Sequence, residues 1–285
     1  MARPLGNQDA ELRLLAAYDA VLAQWPVTGQ SLDLDSQFGI THLQASGPED
    51  APSMILLSGG GATSTVWFNN VEALSRDHRV YALDTMGDVG CSIPGGRPID
   101  RPDLQLAWMD SVLDGLGLLG VCLVGHSYGA QIALSYALHA PHRVRSLVLL
   151  DPTGCFSGMS PGYLLRAAPV LIRPSAERLA RLIHWETQGA ELNPAWLELL
   201  GLGAEIPKVR PIVQRPNREK LAASTVPTLI LLAEHSRVLN IAKVARSARE
   251  MMPRAVIGTV PGVSHHGMPM LHAEELNRAV LTFVG

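Results

Sequence analysis

The chemistry-bearing residues of this chain converge on one serine. Gly125-His126-Ser127-Tyr128-Gly129 follows a short apolar run at residues 121–124 and precedes a helical pattern that begins at Ala130-Gln131. That strand–turn–helix setting is the one a G-x-S-x-G nucleophile elbow requires. The glycines have a steric task, because Ser127 must occupy a strained turn where side chains at 125 and 129 would collide with the flanking strand and helix. A serine hydroxyl is a weak nucleophile at neutral pH and needs a general base, itself oriented by an acid. Behind such an elbow the acid and then the histidine follow the serine in chain order. The base is therefore expected late, where Pro261-Gly262-Val263-Ser264-His265-His266 follows the last predicted strand. Counting from that strand favours His265, counting back from Glu274-Glu275-Leu276-Asn277 favours His266, and His265 is ranked first of the two. His126, inside the elbow, reads as a packing residue.

An acyl-transfer intermediate also needs two backbone N–H donors where negative charge develops. Tyr128, directly after the serine, offers one. The run Ser58-Gly59-Gly60-Gly61 offers the other, with Gly60 the preferred donor. The same run is no nucleotide cradle, since no G-K-[ST] follows and G-x-G-x-x-G is not completed. No cofactor is expected. Cys91, Cys122 and Cys155 are scattered and odd in number, which gives neither a disulfide framework nor a zinc spacing.

The elements that must position these groups alternate along the chain. Short apolar runs at 53–57, 80–83, 121–124 and 144–150 are separated by helical patterns at about 103–117 and 129–139, which is the order of repeated βαβ units and a mostly parallel sheet with helices on both faces. An amphipathic helix at 9–25 and a strand at 41–45 precede them. The alternation stops after Leu150, and residues 153–224, rich in Pro, Leu, Arg and Trp with helices near 175–188 and 194–202, read as a helical lid. Tyr163, Leu164, Leu165, Trp185 and Trp196 are expected to build an apolar wall over Ser127. The pattern resumes with a strand at 228–232, a helix at 240–251, a strand at 255–260 and a helix at 273–283. The reading is thus a core of residues 1–152, with 1–30 a helical extension, then the lid, then a second core part at 225–285.

Of the 285 residues, 47% are hydrophobic and 17% charged, enough apolar material for a doubly covered sheet. A net charge of −3 with no run of Lys or Arg removes the electrostatic footprint of nucleic-acid or anionic-membrane binding, so a small neutral or apolar molecule is the expected partner, with homo-oligomerisation left open. No secretory leader pattern and no membrane-length apolar stretch is found, and a cytoplasmic setting is expected.

With Ser127, the glycine loop and the late histidines in view, the chain from about residue 35 onward resembles the α/β-hydrolase superfamily, and within it the bacterial carboxylesterases of the naproxen-esterase type. The subgroup likeness rests on Tyr18-Asp19 to Trp25-Pro26-Val27, Phe38-Gly39-Ile40-Thr41-His42, Ser46-Gly47-Pro48-Glu49-Asp50-Ala51-Pro52, Asp84-Thr85-Met86-Gly87-Asp88-Val89-Gly90-Cys91-Ser92 and Leu232-Ala233-Glu234-His235. The resemblance implies esterase chemistry on an acyl compound. Two departures stand out: Ser58-Gly59 replaces the superfamily's frequent His-Gly, and Ser236 stands where the acid usually sits. Some α/β-hydrolases carry the acid one strand earlier, and on that pattern Asp151, which ends the run 144–150, is the expected acid, with Glu234 the runner-up. Two other outcomes for this scaffold remain open, namely cyclisation, lactonisation or C–C cleavage in a specialised metabolite, and a non-catalytic ligand receptor.

Overall fold

Nine strands form one sheet in the computed structural model, which describes residues 8–211 and 215–285; residues 1–7 of the expected extension and 212–214 of the expected lid lie outside the described residues. The strands are β1 (Gly29–Ser36), β2 (Gly39–Ser46), β3 (Ser53–Leu57), β4 (Arg79–Leu83), β5 (Ile93–Pro94), β6 (Val121–His126), β7 (Val144–Leu150), β8 (Thr228–Ala233) and β9 (Val256–Val260). Their order is β1-β2-β4-β3-β6-β7-β8-β9, with β5 paired to β2. β2 runs antiparallel to β1, β4 and β5, and every pair from β4–β3 through β8–β9 is parallel.

The helices are α1 (Gln8–Leu22), α2 (Val71–Leu74), α3 (Pro102–Gly115), α4 (Tyr128–His139), α5 (Pro161–Ile172), α6 (Ala176–Glu186), α7 (Pro194–Ala204), α8 (Arg218–Ala223), α9 (Ile241–Met251) and α10 (Ala273–Val284). The parallel strands are apolar on both faces because each face is covered. Ile55, Leu57, Leu123, Leu147, Leu149, Ile230 and Leu232 pack towards α3, α4 and α9. Their alternates Met54, Leu56, Val124, Val148, Leu150, Leu229 and Leu231 pack towards α1, α2 and α10. This period of two along fully buried runs separates the two cores and fixes the register of every strand.

Four helices, α5 to α8, lie between β7 and β8 in the chain, in the segment expected as a lid. The apolar runs 53–57 and 144–150 coincide with β3 and β7. β1, β5, α2, α5 and α8 are additional to the expectations. β1 carries only Leu32 and Leu34 among polar residues, and α5 holds Pro169 within it.

Candidate active site

β6 runs directly into α4, and Ser127 occupies the junction with φ 53° and ψ −111°. A left-handed conformation costs a non-glycine residue about 1–3 kcal/mol and persists only where the surroundings impose it. Here the Ser127 N–H donates to the Leu150 carbonyl at 2.9 Å, while its own carbonyl accepts from Ala130 at 3.2 Å. A Cβ at Gly125 would lie 2.3 Å from the Gly129 carbonyl oxygen, and one at Gly129 would lie 2.2 Å from that of Leu57. Both glycines are thus required for strand and helix to approach closely enough to hold the serine at the tip.

Three of the singled-out side chains form one continuous line. Ser127 Oγ lies 2.9 Å from His265 Nε2, and His265 Nδ1 lies 2.6 Å from Asp151 Oδ2. Asp151 directly follows β7 in a left-handed conformation (φ 40°) and is wholly buried. A buried carboxylate needs several donors, and this one has them: besides the imidazole, Ser236 Oγ–H donates at 2.7 Å and the Ala233 N–H at 3.2 Å. Ser236, the residue at the usual acid position, therefore solvates the carboxylate. An ionised carboxylate can only accept, so His265 carries its proton on Nδ1 and presents an unprotonated Nε2 to the serine hydroxyl.

Glu234 stands apart from this line. Its carboxylate accepts from the Gly262 N–H at 2.8 Å and sits 3.7 Å from the exposed His235 imidazole. His266 also turns away from Ser127, with Nδ1 3.0 Å from Glu186 Oε2.

Glu186 is the residue that sequence reasoning missed. It ends α6, is completely buried, and accepts from the backbone N–H groups of Arg237 (3.2 Å), His265 (3.1 Å) and His266 (3.0 Å) as well as from the His266 ring. Burial alone would raise its pKa, but the hydrogen bonds from the His266 ring and backbone N–H outweigh it and hold the carboxyl down at about 2. One carboxylate at the end of α6 thus holds the backbone of the loop that carries His265. The only signal in the sequence is a single acid ending a helical stretch rich in large apolar side chains, Leu182-Ile183-His184-Trp185-Glu186.

His126 is buried, and its Nε2–H donates to the His265 carbonyl at 3.1 Å. Burial lowers its pKa well below the ordinary histidine range, so the ring is neutral at pH 7 and acts as a donor through Nε2–H. It braces the same loop from below. A Cβ at Gly59 would come 3.0 Å from its Nδ1, which explains a glycine there.

Gly60 and Tyr128 both line the cavity of about 390 Å³ that opens on Ser127 and His265. Among the described residues neither backbone N–H has a hydrogen-bond partner. The loop is braced from outside: the Gly61 N–H donates to the Asp88 carboxylate at 3.1 Å, and Arg210 Nη1 lies 3.1 Å from the same group. Of the residues expected to wall the site, Tyr163 and Trp196 line this cavity with Met159 and Leu200. Leu164 and Leu165 instead face solvent, and the Trp185 ring carries the guanidinium groups of Arg166 and Arg237 at 4.7 and 4.9 Å. A helix can present only part of its circumference to the site, and on α5 that part includes Tyr163.

A strained serine between strand and helix, a hydrogen-bonded imidazole and a buried carboxylate on a mostly parallel sheet define a serine hydrolase-like scaffold. The sequence pattern of the alpha/beta hydrolase family matches residues 54–279, and the chain belongs to that family. Carboxylesterase YbfK of Bacillus subtilis (strain 168) is 31% identical over 284 residues, covering 97% of this chain and 95% of its own. The crystal structure of carboxylesterase CesB (YbfK) from Bacillus subtilis matches with a TM-score of 0.89 at 30% identity over 97% of this chain and 98% of that one. The crystal structure of naproxen esterase (carboxylesterase NP) from Bacillus subtilis matches with a TM-score of 0.90 at 26% identity over 98% and 99%. The chain is an enzyme, a carboxylesterase-like hydrolase. No helix among the described residues is long and apolar enough to cross a membrane.

Proposed function

We propose that Ser127, His265 and Asp151 are the catalytic triad of an esterase that cleaves carboxylic esters through an acyl-enzyme. The observation that carries the reading is the unbroken line of hydrogen-bond distances, 2.9 Å from Ser127 Oγ to His265 Nε2 and 2.6 Å from His265 Nδ1 to Asp151. In the first half-reaction Ser127 Oγ attacks the ester carbonyl while His265 Nε2 takes its proton. The negative charge on the carbonyl oxygen is met by the Tyr128 and Gly60 N–H groups, whose lack of described partners supports this role. Collapse of the tetrahedral intermediate breaks the C–O bond to the alcohol, and His265 returns the proton to the departing oxygen. Water then attacks the acyl-Ser127 ester, again deprotonated by His265, and releases the acid. Asp151 stays ionised and holds the imidazole in the tautomer that can accept.

The segment 153–224 serves as the lid, contributing Tyr163, Trp196 and Leu200 to a cavity whose volume suits a small apolar ester. The likeness to carboxylesterases supports an ester of a carboxylic acid as the substrate class. Cys91, Cys122 and Cys155 form no disulfide among the described residues, which supports a reducing, cytoplasmic setting. The test is labelling with a fluorophosphonate, which reacts fast only with an activated serine, followed by a panel of short and long p-nitrophenyl esters. Ser127→Ala should abolish labelling and lower kcat by several orders of magnitude while leaving the fold intact. A purified variant that keeps more than a tenth of wild-type activity would end the reading.

A further inference from the structure

Helix α5 is apolar on opposite sides. Its inner side sends Tyr163, Ala167 and Val170 towards a second cavity of about 530 Å³ that adjoins the serine site and shares Gly60, Leu200 and His266 with it. The outer side exposes Leu164 (45%), Leu165 (78%) and Ile172 (77%), three aliphatic residues at the i, i+1, i+8 spacing of one helical face, and Leu171 (72%) stands exposed at the rim of that cavity. A helix apolar all round is normally buried, and the described residues of this chain leave that face in water. Contiguous exposure of this kind marks an interaction surface.

The charge beside the face is of one sign. Residues 161–186 hold Arg166, Arg173, Arg178 and Arg181 against Glu177 and Glu186, and Glu186 is buried, so the surface of the segment carries 4 − 1 = +3 on a chain whose net charge is −3. Arg166, Arg178 and Arg181 line one cleft of about 240 Å³ between α5 and α6, together with Pro169, Leu182 and Trp185. Arg178 is held there by donating to the Arg173 carbonyl at 2.7 Å, and Arg181 pairs with Glu177. No run of basic residues announces this face in the sequence; the turn between α5 and α6 assembles it.

We propose that the outer face of α5 with this arginine cleft docks the enzyme on an anionic lipid surface, the aliphatic side chains entering the boundary between headgroups and acyl chains and the arginines meeting lipid phosphates. A face that is both aliphatic and cationic has the composition of interfacial helices. A second copy of this chain fits less well, because an isologous contact would set +3 against +3. The docking does not depend on the assignment of the triad.

The test is co-sedimentation of the full chain with vesicles of phosphatidylcholine alone and with about 30% phosphatidylglycerol, at low and high salt. The wild type should bind the anionic vesicles at least roughly tenfold more strongly, and salt should weaken that binding. Arg178→Ala with Arg181→Ala should lower it by about fivefold per arginine. Leu165→Asp with Ile172→Asp, both outside the two cavities of the site, should abolish it while leaving the melting temperature and the hydrolysis of a short water-soluble ester at wild-type values. Equal binding to both vesicle types, or none to either, overturns the proposal. So does a concentration-dependent dimer in sedimentation velocity that Leu165→Asp dissolves, because a second copy would then cover the face.

Discussion

Replacing Glu186 by Gln keeps the shape of the side chain and removes its charge, and the structure gives the size of the effect. The carboxylate accepts from three backbone N–H groups and the His266 ring. The Gln carbonyl can accept two of these at most, and its NH2 faces the His266 backbone N–H and ring; the ring can change tautomer and accept, which leaves one buried backbone N–H unmet at a cost of up to about 3 kcal/mol. The titration of the group gives a second route to the magnitude. Its pKa falls from an ordinary 4.5 to about 2, a separation of about 3 kcal/mol. Both routes place the loss near 3 kcal/mol, which for a domain of this size lowers Tm by about 6–12 °C. Because the folded-state pKa lies below the unfolded one, this stabilisation is complete above about pH 4.5 and is lost as pH falls towards 2. Melting curves at pH 7 and at steps from 5 to 3 check both parts. The gap between wild type and variant should be widest at pH 7 and should narrow with acid. Fluorophosphonate labelling of Ser127 should slow by one to two orders of magnitude, since a displacement of about 1 Å in the base costs about that much. A variant that melts within 2 °C of wild type at pH 7 and labels at the same rate would show that Glu186 does not hold the His265 loop.

Three further outcomes follow from the site. Asp151→Asn should lower kcat by about 10³–10⁴-fold through the wrong His265 tautomer, with little change in KM, as measured by steady-state ester hydrolysis. Glu234→Gln should stay within about twofold of wild type in the same assay, because that carboxylate meets the Gly262 N–H and an exposed histidine and not His265; a crippled Glu234→Gln beside a silent Asp151→Asn would reverse the assignment. Gly129→Ala drives a Cβ against backbone oxygens of Leu57 and Ser58 at 2.2 and 2.6 Å, so a loss of roughly 3 kcal/mol or more should appear in urea unfolding midpoints.

The parallel core was legible because β3, β6 and β7 are rich in aliphatic residues that mark buried strands, and the elbow because Gly125-His126-Ser127-Tyr128-Gly129 carries its own steric logic within five neighbouring residues. α5 hid behind its prolines, although Pro161 at the helix start costs nothing there and Ser160 caps it by accepting from the Tyr163 N–H. The choice between His265 and His266 could not be made from spacing, since it depends on Glu186, about eighty residues earlier in the chain, whose carboxylate turns one ring away while the other reaches Ser127. Glu186 itself was illegible for the same reason: its partners lie on two distant loops that only the closed fold brings to the end of α6.

The acid shows what the scaffold constrains. β7 and β8 are parallel neighbours, the Asp151 N–H donates to the Leu231 carbonyl at 2.8 Å, and adjacent strand ends stand about 4.8 Å apart. A carboxylate rooted at the end of either strand can therefore bring an oxygen to the same point beside His265 Nδ1. In this chain Asp151 supplies the oxygen and Ser236, rooted beyond β8, donates to it at 2.7 Å. The serine beyond the later strand supplies a hydrogen-bond donor to the buried Asp151 carboxylate. The requirement imposed on the sequence is one negative charge at one place in space, met by one donor from the neighbouring strand, and the position in the chain that carries the charge is free to move between the two.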